Sequence, residues 1–120
     1  MLIEVTEKDD ICLVRFEGRF VSGWDPDYVR AKDEIAGRRC DKVLADFRDV
    51  SQIGSTGIGF IVAIYVSVRK HSQGRFVVVG LQRRVREVFD ITRVSTVIPL
   101  AEDMASGLAA LRSETSAAAG

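Results

Sequence analysis

The sequence predicts an α/β domain: a mixed, mostly parallel sheet of four or five strands with helices packed against it. Three observations carry this expectation. Two strand-forming runs, residues 2–5 and 11–16, are separated by a short polar turn, Glu7-Lys8-Asp9-Asp10, which is the pattern of an antiparallel hairpin. After the hairpin, strand-like runs alternate with segments of helical periodicity, the mark of parallel strands joined by crossover helices. The 120 residues, 47% of them apolar, are enough for one core and one domain.

Each element has its own signal. Gly18 is expected to end the second strand. The loop Val21-Ser22-Gly23-Trp24-Asp25 leads into a helix, with Asp25 as cap and Pro26 at the first helical position. Tyr28, Val29, Lys32 and Ile35 recur at helical spacing, and Gly37 closes the helix. Residues 42–47 form a buried strand ending near Asp46, followed by a polar turn from Arg48 to Gln52. Ser55 and Thr56 stand just before a long apolar segment, as N-cap residues do, and predict a helix over 56–70. Its stripe Ile58, Ile61, Val62, Tyr65 and Val68 should face the sheet. The opposite side carries Phe60, Ala63 and Ile64, too apolar for a solvated face, so Phe60 and Ile64 are expected to be partly exposed and to meet a partner.

The second half continues the alternation. Residues 75–79 make a central, covered strand, closed by Gly80. Residues 82–90 form a short helix with Val85, Val88 and Phe89 inward, and with Arg83, Arg84 and Arg86 on a solvated face. A last strand is expected at Thr96-Val97-Ile98, stopped by Pro99. Residues 103–111 form a terminal helix with Met104, Leu108 and Leu111 on one stripe. The domain should span residues 1–112, with 113–120 a frayed tail.

Composition excludes several functions. Seventeen basic and 17 acidic residues give zero net charge, which offers no reason to expect nucleic acid or a membrane surface as partner. No apolar run approaches the roughly 20 residues of a membrane span. No leader pattern is visible at Met1-Leu2-Ile3-Glu4, so a cytoplasmic location is expected. Cys12 and Cys40 lack metal or redox spacing and are expected to be reduced thiols. His71 is the only histidine, which leaves a metal site or a Ser-His-Asp triad without support. Gly54-Ser55-Thr56-Gly57-Ile58-Gly59 lacks both the acid of a dinucleotide fingerprint and the Gly-Lys-Ser/Thr of a phosphate loop. No cofactor or metal is expected. Trp24, in a loop, is either partly buried or a partner contact.

One stretch does carry chemistry. A strand ending in Asp46, a polar turn, and Ser55-Thr56-Gly57-Ile58-Gly59 opening a helix resembles the phosphoacceptor loop of STAS domains, the anti-sigma factor antagonists and their relatives. The resemblance continues through Gly74-Arg75-Phe76-Val77-Val78-Val79 and Val88-Phe89-Asp90-Ile91-Thr92-Arg93-Val94, and covers about residues 2–111. It implies a STAS fold and a non-enzymatic role. It implies Ser55 as phosphoacceptor, with Thr56 as second choice, in a loop built with Asp46, Gly54, Gly57 and Gly59. It further implies an anti-sigma factor with kinase activity as partner, with a phosphatase restoring binding. Phe60, Ile64 and Trp24 are the expected partner contacts, and a weak homodimer is left open. Two positions depart from the family pattern: Gly54 stands where Asp often precedes the acceptor, and Val21 where Asp often follows the second strand. The alternative reading is a docking subunit of a stressosome-like or lipid-transport assembly that needs no phosphorylation.

Overall fold

The computed structural model describes residues 1–21, 26–38, 41–70 and 74–119, with side chains described as far as Arg112. The chain folds as the expected mixed sheet: β1 (Leu2–Lys8), β2 (Ile11–Phe20), α1 (Pro26–Arg38), β3 (Lys42–Ile53), α2 (Ser55–Arg69), β4 (Arg75–Val79), α3 (Arg83–Ile91), β5 (Leu100–Ala101) and α4 (Met104–Ala119), with a 3₁₀ turn at Val94–Thr96. The strands lie side by side in sequence order, β1 antiparallel to β2 and the remaining neighbours parallel. Parallel central strands are covered on both faces, which is why Phe76 to Val79 are buried without alternation.

Two cores result. On one face, α1, α2 and α3 close over Val14, Phe16, Phe20, Val43, Ala45, Phe47 and Val78. On the other, α4 alone lies over Leu44, Val77 and Val79. Gly107 allows that approach: a Cβ there would stand 2.3 Å from Val79 Cγ1 and 2.9 Å from Leu44 Cδ1. Aromatic rings fill the first core, with Phe16 against Phe47 at 4.9 Å and Phe20 against Tyr28 at 5.0 Å between centroids.

Several expectations are corrected. Gly18 does not end β2; it sits inside the strand at φ +114°, between two irregularities of register that let β2 follow β3 further. The polar turn expected from Arg48 to Gln52 is strand for the same reason, since Glu17 to Phe20 supply its partners. The last strand is not at Thr96 to Ile98, where Arg93 at φ 62° opens a 3₁₀ turn, but after Pro99, whose carbonyl accepts from the Val78 N–H. α4 continues through 113–119, a run ending in three alanines, the best helix formers. Cys12 is fully buried and disulfide-bonded rather than a reduced thiol. The chain's other cysteine, Cys40, lies outside the described residues, as do Trp24, Asp25 and His71.

The largest correction concerns α2. Ile64, expected on an exposed outer face, is 2% exposed and joins Ile58, Ile61 and Val68 in the core. Val62 and Tyr65, expected inward, are only half-buried. The helix is apolar all round because it has neighbours on more than one side: the sheet beneath it and α1 beside it.

Candidate functional site

The site is built at the C-terminal ends of the parallel strands. β3 runs to Ile53, and Gly54 turns the chain into α2, with its N–H donating to the Phe20 carbonyl at 3.0 Å. Ser55 is therefore the first residue of α2, not a cap. Gly54 holds the cap position in extended conformation, and among the described residues no side chain caps the helix. This corrects the expectation that Thr56 or Ser55 does so. The first main-chain bond inside the helix is from the Ile58 N–H to the Gly54 carbonyl, 3.0 Å. The N–H groups of Ser55, Thr56 and Gly57 have no carbonyl partner within the helix. They carry the positive end of the helix dipole. Ser55 is exposed beside them, and no described hydrogen bond uses its hydroxyl. Thr56 is half-buried.

The glycines divide by role. Gly57 is needed for close approach: a Cβ would stand 2.6 Å from the Phe20 carbonyl oxygen and 2.7 Å from Ile53 Cγ1. Gly59 is exposed, and a Cβ there would meet nothing within 4 Å. A Cβ on Gly54 would lie at ordinary contact, 3.7 Å from Val21 Cγ1. The two positions that lack the carboxylates of the family pattern are thus neighbours. They form an uncharged contact beside Ser55, a pairing that sequence spacing could not reveal.

Asp46 is not brought to Ser55. Side chains alternate along β3, and Val43, Ala45 and Phe47 belong to the three-helix core, so Asp46 faces the α4 side with Leu44. It is 2% exposed and held by Arg48: Nε donates to one oxygen at 3.0 Å, Nη2 to the other at 2.8 Å, and the Arg48 N–H adds a bond of 3.1 Å. Burial pushes the carboxyl up, and the Arg48 bonds and charge outweigh it, so its pKa lies below the ordinary 3.8. Arg48 is tied in turn to the β4–α3 connection, where Gln82 Nε2 donates to its carbonyl at 2.9 Å. The cluster of Arg15 with Glu4, Glu17 and Asp49 lies on this same open face of the sheet.

Of the expected partner contacts, Ile64 is buried and unavailable. Phe60 is half-buried, its ring tilted against those of Phe20 and Tyr28 with centroids 5.7 and 5.1 Å away. The large apolar side chains exposed here are Val66 on α2, 47% exposed, and Val21 just after β2, 38%. On α3, Arg83 and Arg86 pair with Glu87 and Asp90 one turn on, as a solvated face does. Among the described residues no group of His, Cys, Asp and Glu could hold a metal ion, and no helix is long and apolar enough to cross a membrane.

A family model described as the STAS domain matches residues 3–107. Solved structures share the fold. An anti-sigma factor antagonist from Mycobacterium paratuberculosis superposes with a TM-score of 0.83 at 21% identity, covering 92% of this chain and 93% of its own. RsbS of Moorella thermoacetica gives 0.71 at 17% identity, covering 94% and 97%. The phosphorylated form of the Bacillus cell fate determinant SpoIIAA gives 0.57 at 14%, covering 85% and 93%. No curated protein matches the sequence significantly.

Proposed function

The chain belongs to the STAS domain family; on that premise we propose that it is an anti-sigma factor antagonist. It binds an anti-sigma factor with kinase activity, and phosphorylation of Ser55 ends the binding until a phosphatase removes the group. The observation that carries this reading is the open start of α2: an exposed serine hydroxyl beside three helical N–H groups that no described side chain caps.

The chemistry asks little of this chain. The Ser55 oxygen attacks the γ-phosphorus of ATP held by the kinase. An O–P bond forms, the bond to the ADP leaving group breaks, and the hydroxyl proton passes to a base on the kinase. The protein supplies the acceptor and no catalytic group, so it is a substrate and switch. The product adds about −1.5 to −2 charges at neutral pH. That charge sits at the helix terminus that best tolerates an anion, so the fold should survive it. The effect falls on the docking surface, formed by Ser55, Gly54, Val21, Gly59 and the exposed stripe to Val66. A desolvated phosphate there needs to remove only about 2–3 kcal/mol, near a hundredfold, to break the complex. That a neighbour of the same fold, SpoIIAA, has a phosphorylated form supports this reading.

The uncharged Val21–Gly54 contact favours a second reading, a docking subunit that needs no phosphorylation. One experiment separates the two: capture from a lysate of the native host with the wild-type chain and with Ser55→Asp. A kinase-fold partner held by the wild type and lost by Ser55→Asp is the expected outcome. A multisubunit assembly held equally by both would select the docking reading.

A further inference from the structure

We propose that the wedge between α4 and the β1–β2 hairpin binds a small amphipathic carboxylate. α4 touches the sheet tightly at Gly107, over Val79 and Leu44, and gapes toward the hairpin. The gap is a cavity of about 240 Å³. Its floor is Ile11, Leu13 and Leu44, and its wall is Met104 and Leu108. Leu13, Met104 and Leu108 remain half-exposed there, whereas Leu44, Val77, Val79 and Leu111 beside them are buried. A cavity lined this way favours an apolar occupant; a 150 Å³ apolar cavity holds benzene, and at that density this one holds about ten heavy atoms.

The mouth sets the head group. It is formed by Lys8, Asp9 and Arg112, two cations and one acid. Among the described residues neither Lys8 nor Arg112 enters an ion pair, whereas Arg15, Arg30, Arg38 and Arg48 are all engaged. Two cations without an ion pair among the described residues, above an apolar pocket, match an anionic head on a short acyl or ring-sized body. The site is on the sheet face opposite α2, so it is separate from Ser55 and its occupancy does not depend on the switch.

Octanoate, with ten heavy atoms, is the probe, and octanol is its uncharged counterpart. Amide NMR titration of the full chain should show saturable shifts at Leu13, Leu44 and Leu108, with a Kd on the order of a millimolar, the scale for a ligand this small. Octanol should bind at least about threefold more weakly. The double substitution Lys8→Gln with Arg112→Gln should weaken octanoate by about three- to tenfold, as expected for losing exposed ion pairs. It should leave octanol unchanged. Leu13→Trp should fill the cavity and abolish binding of both, with its thermal midpoint recorded to show that it folds. The absence of saturable shifts at ten times the expected Kd would overturn the proposal. So would equal affinity for octanoate and octanol, or octanoate binding that ignores the two charge substitutions.

Discussion

Two helices in this domain begin in opposite ways. α4 is capped: Asp103 accepts a hydrogen bond from the Ser106 N–H at 2.8 Å, and the Ser106 hydroxyl adds a second at 2.8 Å. Those bonds hold the Asp103 carboxyl below its usual value. α2 begins at Gly54 with no described side chain accepting its free N–H groups, and the exposed residue beside them is a serine. α4's start is finished for stability. α2's start leaves its donors and a hydroxyl available, while the residues behind it are seated firmly. The start of α2 is thus closely packed from beneath and left uncapped by the described side chains above.

Substitutions that break the seat should have the largest effect. Ile64→Asp places a charge in the core without a partner and should cost more than about 4 kcal/mol, enough to unfold the domain. Val66→Asp, two residues on but exposed, should stay within about 0.5 kcal/mol. Denaturant titration of the pair separates the observed burial of α2 from the outer face that the sequence suggested. If Ile64→Asp is as stable as Val66→Asp, the seat is misassigned. Gly57→Val should come next, at about 2–3 kcal/mol, because its side chain collides with the Phe20 carbonyl.

Asp46→Asn should cost about 2 kcal/mol at neutral pH, the loss of charge-assisted bonds to a buried carboxylate. The sign of its pH dependence follows from the lowered pKa. The unfolded chain takes up the proton first as pH falls, so this stabilisation is whole above the ordinary 3.8 and is lost as pH drops through the depressed folded value. The wild type should therefore lose stability on the acid limb more steeply than Asp46→Asn. Parallel acid limbs would mean that the Arg48 clamp does not form in solution.

The smallest effects compare the two helix starts directly. Asp103→Ala should lower the thermal midpoint by removing a cap. Gly54→Asp should raise it slightly by adding one, since Gly is only a few tenths of a kcal/mol worse than a good cap. A fall in midpoint for Gly54→Asp would show that the start of α2 has no donors to satisfy.

The sequence foretold the order of elements well, because alternation and helical spacing are local. The hairpin turn, the covered β4 and the entry at Pro26 could all be read this way. What escaped depended on neighbours. The polar end of β3 is strand only because β2 bends to follow it. Ile64 is buried because α2 turns the stripe Gly57, Ile61, Ile64 and Val68 to the core, rotated from the stripe the sequence suggested. At the site, Ser55 at a helix entry was legible, and so were the two missing acids. That Gly54 and Val21 touch, and that Asp46 turns away to Arg48, needed the register of three strands.

We propose Ser55 as the reactive group of the open helix start. The direct test incubates the chain with its captured kinase and magnesium-ATP, then locates the phosphate by fragmentation mass spectrometry. A single phosphate on Ser55 is expected, none on Ser55→Ala, and a thermal midpoint for the phosphorylated chain no lower than that of the unmodified one. Phosphate only on Thr56, or on neither residue, would contradict the claim.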